Sequence, residues 1–240
     1  MIESSSFQNR SGNSSPTSDP AVILLDLDGT LVDSEGLAAQ VFERYCLERG
    51  IVPGREKEIS TSVVGRTWRN GLVEAQARGA RFQEDLRVIE NLLNEDYRKR
   101  LESEGVPEVP GAAQAVQRLA QDFRVAVVSG SQRREIAWNL EKLGISGEIE
   151  FYLGAEDVIR GKPEPDPFLE GMRRFSVLAS SVVIFEDSVA GLLAARRAKA
   201  GLIVAIEHAN RLGQDQSAAD IAVKDWKGID AAWIRRTWSR

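Results

Sequence analysis

Short apolar runs bounded by polar or turn residues recur along this chain at 21–25, 123–128, 149–153, 182–185, 202–206 and 221–223. Their length and β-branched content predict buried strands. Between them, apolar residues at spacings of three and four predict helices over 111–121, 132–143, 167–175, 189–199 and 229–238, with Gly144 and Gly201 as stops. Strands alternating with helices predict a doubly wound α/β core, a Rossmann-like parallel sheet. V-A-V-V and V-V-I-F are apolar at every position, as expected of strands covered on both faces.

The stretch 35–108 has a different pattern. Leu37, Val41 and Tyr45 mark one helix, with Gly50 able to end it and Pro53-Gly54 reading as a turn. Further helices are predicted over 68–77 and 82–101, the latter from Leu86, Ile89, Leu93 and Tyr97. No convincing strand interrupts them. The expected organisation is a core formed by 21–34 and 109–240, with a small α-helical module, 35–108, inserted after the first strand. Residues 1–20, rich in Ser, Asn, Gly and Pro, read as a disordered tail.

Composition narrows the function classes. The 240 residues are 42% hydrophobic and 28% charged, with a formal charge of −5, so no basic footprint for nucleic acid is present. No apolar run approaches the roughly 18 residues of a membrane span. The first residues lack a signal-peptide pattern, so a cytoplasmic location is expected, with monomer as the default state. Cys46 stands alone, which excludes an internal disulfide, and with His208 as the single histidine no Cys/His zinc cluster can form. A metal here would be held by oxygen, which points to Mg²⁺. Carboxylates are then the natural acid/base groups.

The polar residues directly after the strands carry the candidate chemistry, because open α/β sheets bind ligands outside their carboxyl ends. Asp26 ends the first strand, with Asp28 and Gly29 in the turn beyond it. Paired carboxylates at a buried strand tip call for a cation, and suit displacement in which one attacks and the other moves a proton. Ser129-Gly130-Ser131 follows the strand over 123–128, and Glu186-Asp187-Ser188 follows that over 182–185; Lys162 lies in the stiff loop G-K-P-E-P-D-P. A serine with backbone N–H groups at a helix start suits a phosphate oxygen, a lysine supplies a point charge, and further carboxylates complete an oxygen-ligand metal site. Each has a bland alternative: an Asp-Gly turn, a helix cap at Ser129 or at 186–188, a solvated Lys162. Together, in order and at strand ends, they read as a phosphoryl-transfer site.

These motifs resemble the haloacid dehalogenase superfamily, in its subgroup of small-helical-cap phosphatases and β-phosphoglucomutases, over about residues 21–225. D-L-D-G-T-L-V-D-S, V-V-S-G-S, G-K-P-E-P-D-P-F and F-E-D-S-V-A-G-L-L-A-A are similar to its four motifs. The resemblance implies that Asp26 is a nucleophile forming an aspartyl phosphate, and that Asp28 is the general acid/base and lends Mg²⁺ its backbone carbonyl. Asp187, with Glu186, would complete the metal site, Ser129 and Lys162 would hold the phosphoryl group beside Gly130, and 35–108 would be a mobile cap. Ala38 stands where the mutases carry a histidine, and Trp68 falls near the arginine of their first cap loop. These departures favour a phosphatase acting on a small phosphorylated metabolite, a sugar phosphate or a phosphoglycolate-like ester. Glu35, Arg66, Trp68, Arg69 and Arg78 are the cap candidates for substrate choice, with an arginine of G-R-T-W-R expected to meet the leaving group. A phosphomutase and, from another class, a phosphorylatable signalling receiver are the alternatives. Trp226, Trp233 and Trp238 read as packing residues.

Overall fold

The computed structural model describes residues 20–64, 68–208, 210 and 213–239. The expected tail therefore lies, apart from Pro20, outside the described residues, as does Arg66. The chain starts with β1 (Val22–Leu25), wholly buried. Four helices follow: α1 (Ser34–Glu48), α2 (Glu56–Ser60), α3 (Trp68–Ala77) and α4 (Leu86–Glu104). Alternation then begins with α5 (Ala112–Leu119), β2 (Arg124–Val128), α6 (Arg133–Lys142), β3 (Phe151–Leu153) and α7 (Asp166–Phe175). It continues through β4 (Val182–Glu186), α8 (Val189–Arg197), β5 (Leu202–Ile206), β6 (Ile221–Val223) and α9 (Ala231–Trp238).

Local chemistry sets the helix ends. The Asp33 carboxylate accepts from the Gly36 N–H at 3.0 Å and that of Asp85 from Arg87 N–H at 2.8 Å, capping α1 and α4. Gly50, at φ +61°, follows the end of α1. The Asp85 cap explains why α4 starts at Leu86, later than the apolar spacing predicts. The short α2 escapes sequence reading because five residues with one buried apolar side chain, Ile59, show no period.

The six strands form one parallel sheet in the order β3-β2-β1-β4-β5-β6. β1 is central, with Leu25 level with Val127 of β2 and with Phe185 of β4. Alternate residues feed the two faces. Ile23, Leu25, Val127 and Phe185 pack with α5, α6 and α9, while Leu24, Val128, Ile184 and Ala205 pack with α7 and α8. The expected doubly wound fold is present, and Trp226 and Trp238 are buried in its core.

The inserted helices have a separate apolar cluster, built from Phe42, Cys46, Ile59, Leu72, Ile89 and their neighbours. The chain enters and leaves this module on two adjacent strands of backbone. Val32 bridges Glu108 in antiparallel fashion, Asp33 N–H donates to Pro107 O at 2.7 Å, and Val109 N–H donates to Leu31 O at 2.9 Å.

Candidate active site

The order of strands reverses at β1, where neighbouring connections leave to opposite sides, so a crevice opens beyond the ends of β1, β2 and β4. Asp26 is anchored there by its backbone N–H, which donates to Phe185 O at 3.0 Å. The next residues turn tightly, with Leu31 and Val32 N–H both donating to Leu27 O. Gly29 is required at φ +87°, and a Cβ on it would lie 2.1 Å from Asp187 Oδ2. The turn thus brings Thr30 to the acidic residues that end β4.

Lys162 reaches this point from the loop before α7. Its ammonium donates to Asp26 Oδ1 at 2.5 Å, to Glu186 Oε1 at 2.8 Å and to Val128 O at 3.0 Å. Glu186 is held on its other oxygen, which accepts from the N–H groups of Asp187 and Ser188 and from the Ser188 hydroxyl. Asp187 accepts from the Thr30 hydroxyl at 3.0 Å, and the Trp226 indole N–H donates to Thr30 O at 2.7 Å. Gln216 donates to the backbone carbonyl of Asp187 at 2.7 Å.

The electrostatics are unbalanced. Asp26, Glu186 and Asp187, all buried, each bring a carboxylate oxygen within 4.8 Å of the others. The Lys162 ammonium pairs with Asp26 and Glu186 and not with Asp187, so the four groups carry two net negative charges when all are ionised. Burial, joined by Glu186 and Asp28, holds the Asp26 carboxyl well above its ordinary pKa against the pull of Lys162. Burial and the charges of Glu186 and Asp26 do the same to Asp187, with Glu35 adding to them. Burial alone would lower the Lys162 pKa, but Asp26 and Glu186 more than offset it and raise it. Oxygen donors converging with a twofold charge deficit fit a hard divalent cation such as Mg²⁺.

Asp28 faces the other way. Its Oδ2 accepts from the Ser131 hydroxyl at 2.6 Å and from the Ser129 hydroxyl at 3.4 Å, while Ser129 Oγ accepts the Ser131 N–H at 2.9 Å. The Asp28 side chain is therefore apart from the carboxylate cluster and lines a cleft of about 750 Å³. Gly130, Ser131 and Glu135 form one side of that cleft, and Glu35, Trp68 and Tyr97 from the inserted helices form the other. Trp68 and Tyr97 pack edge to face at 6.2 Å. Burial, reinforced by Asp28, Asp33 and Glu135, raises the Tyr97 pKa and keeps the phenol neutral.

Of the cap residues expected to set substrate choice, Glu35 and Trp68 lie in the cleft, while Arg78 does not line it and pairs with Glu74 at 2.7 Å. Arg69 does not line it; its guanidinium faces Glu90 at 3.5 Å, because α3 turns that side toward α4. Sequence reading gave no site role to Thr30, although it lies within D-L-D-G-T-L-V-D-S, nor to Trp226, Gln216 and Tyr97, which belong to no local motif and reach the site through tertiary packing. Ser131 was visible in S-G-S, but nothing local tied it to Asp28.

Residues 23–205 match the family model of the haloacid dehalogenase-like hydrolases, and the chain belongs to that family. It is similar to the phosphorylated carbohydrates phosphatase of Thermotoga maritima, 27% identical over 187 residues that cover 78% of this chain and 85% of the relative. Hexitol phosphatase A of Escherichia coli is 26% identical over 170 residues, covering 71% of this chain and 76% of the relative. A crystal structure of a family hydrolase from Deinococcus radiodurans R1, with bound phosphate and sodium, superposes with a TM-score of 0.74 at 26% identity, covering 92% and 98% of the two chains.

Proposed function

We propose that this hydrolase is a Mg²⁺-dependent phosphatase that cleaves a small phosphorylated carbohydrate through an aspartyl phosphate on Asp26. The enzyme is a phosphoric monoester hydrolase, and the names of its relatives support a carbohydrate leaving group. The observation that carries the mechanism is the Lys162 ammonium, placed between Asp26 and Glu186 at the tip of the central strand.

In this reading an Asp26 carboxylate oxygen attacks phosphorus as the P–O bond to the sugar breaks. Asp28 gives its proton to the departing oxygen. A water then attacks phosphorus while Asp28 takes the water's proton, the Asp26–phosphorus bond breaks, and phosphate leaves with Asp26 regenerated. Lys162, Ser129 and Gly130 hold the transferring oxygens, Lys162 also offsetting charge as it builds on them. Asp26, Glu186 and Asp187, with the Asp28 backbone carbonyl, would hold Mg²⁺. When bound, that ion supplies positive charge to the phosphoryl oxygens and lowers repulsion toward the attacking carboxylate. Residues 35–108 act as a cap that closes on the paired connectors around Val32 and Val109, keeping bulk water from the first step. Ala38 lines the cleft, where the resembled mutases have a histidine, which favours hydrolysis over return of the phosphoryl group to a sugar.

The test is phosphate release with Mg²⁺ from hexose and hexitol phosphates, phosphoglycolate, nucleotides and pyrophosphate, with Asp26→Asn alongside. Release from the carbohydrate esters, abolished in the variant, is expected. Wild type indistinguishable from Asp26→Asn on every ester would overturn the reading in favour of a mutase or receiver.

A further inference from the structure

The two oxygens of Asp28 are in different states. Oδ2 takes both hydrogen bonds, the shorter from Ser131 Oγ at 2.6 Å and the longer from Ser129 Oγ at 3.4 Å. Oδ1 receives no hydrogen bond from any described residue. Ser131 is itself fixed, since its backbone N–H donates to Ser129 Oγ at 2.9 Å and its carbonyl accepts from Ala155 N–H at 3.0 Å. Ser129 is tied to β3 through its N–H to Leu153 O at 3.0 Å. The carboxylate is thus clamped on one edge by a loop that rests on the sheet, its other edge carries no hydrogen bond from a described residue, and Asp28 lines the cleft.

We infer that Ser131 is a positioning residue for proton transfer: its hydroxyl holds Asp28 Oδ2 so that Oδ1 is the oxygen that gives and takes the proton. This rests on the phosphatase reading above and deepens it. The physical reason is geometric. A carboxylate on a single rotatable stem sweeps both oxygens through a wide arc, and proton transfer needs one of them within hydrogen-bond reach of the ester oxygen. A short hydrogen bond from a backbone-anchored hydroxyl removes that freedom and leaves the free edge pointing at substrate. The proton balance is unchanged: Oδ1–H passes to the leaving oxygen in the first step, and Oδ1 recovers a proton from the attacking water in the second.

Because Ser131 also lines the cleft, the competing role is contact with the leaving group, and the two roles separate kinetically. Ser131→Ala is expected to lower kcat by roughly ten- to a hundredfold, a part of what a well-placed acid/base contributes, with KM within about twofold. Inhibition by inorganic phosphate should be unchanged, and Ser131→Thr, which keeps the hydroxyl, should recover most of kcat. In an Asp28→Asn background, where no proton is exchanged, Ser131→Ala should add no further loss in single-turnover phosphate release. A raised KM with kcat preserved, or losses that multiply in the double variant, would overturn the inference and assign Ser131 to the leaving group. Absence of Asp26-dependent phosphate release in the wild type would instead remove the phosphatase reading, and the inference with it.

Discussion

Gly191 shows how narrowly the acidic cluster is built. A Cβ at this position would lie 1.6 Å from Glu186 Oε1, the oxygen that receives the Lys162 ammonium. Helix α8 can approach the end of β4 only because that atom is absent. Gly191→Ala should therefore displace Glu186, cost about 1–3 kcal/mol through overpacking, and reduce activity together with stability. Gly147→Ala is the control: nothing lies within 4 Å of its added Cβ, and neither property should change. Denaturant melts and phosphate release on both variants check this, and a Gly191→Ala protein with wild-type stability and turnover would refute it. The clash involves side-chain atoms across a helix–strand contact, so nothing in S-V-A-G-L announces it.

At the scale of elements, the segment before α9 supports the loop after β1. Trp226 is fully buried, packs on Phe185 with ring centroids 4.5 Å apart, and donates its indole N–H to Thr30 O. Thr30 in turn donates its hydroxyl to Asp187. Trp226→Phe keeps an aromatic ring against Phe185 but orphans a buried carbonyl, which should cost about 1–3 kcal/mol. Because the loop then holds Asp187 less firmly, the Mg²⁺ concentration for half-maximal activity should rise while kcat at saturating Mg²⁺ changes less. An unaltered Mg²⁺ dependence would show that Trp226 serves the core alone.

For the whole molecule, the excess of buried carboxylates couples metal, pH and stability. Burial holds the Asp26 and Asp187 carboxyls well above the usual carboxylate range, so without metal these two groups bind more protons in the folded chain than in the unfolded one once pH exceeds about 4. Their contribution to stability then falls as pH rises toward the raised pKa values. The Lys162 contribution does not reverse this, since a raised lysine pKa stabilises fully below the ordinary value near 10.4 and is lost only above it. Mg²⁺ should offset the carboxylate repulsion, so the Tm increase on adding it to EDTA-treated protein should be larger at about pH 8 than at about pH 5. Equal increases at both would contradict the cation site.

Local sequence determined the parts list. Apolar runs placed every strand among the described residues, the three- and four-residue spacings placed the longer helices, and polar residues at or near predicted strand ends brought Asp26, Lys162, Glu186 and Asp187 forward as one site. Those signals are readable because strand burial and helix amphipathicity repeat within a few residues. Tertiary structure decided how the parts meet. It turned Arg69 toward Glu90, gave Asp28 to Ser131 rather than to the carboxylate cluster, set Tyr97 and Trp68 across the cleft, and drew Trp226 beneath Thr30. Each of these contacts joins residues remote in the chain, and their partners are chosen by the order of strands and the packing of helices, which no local period encodes.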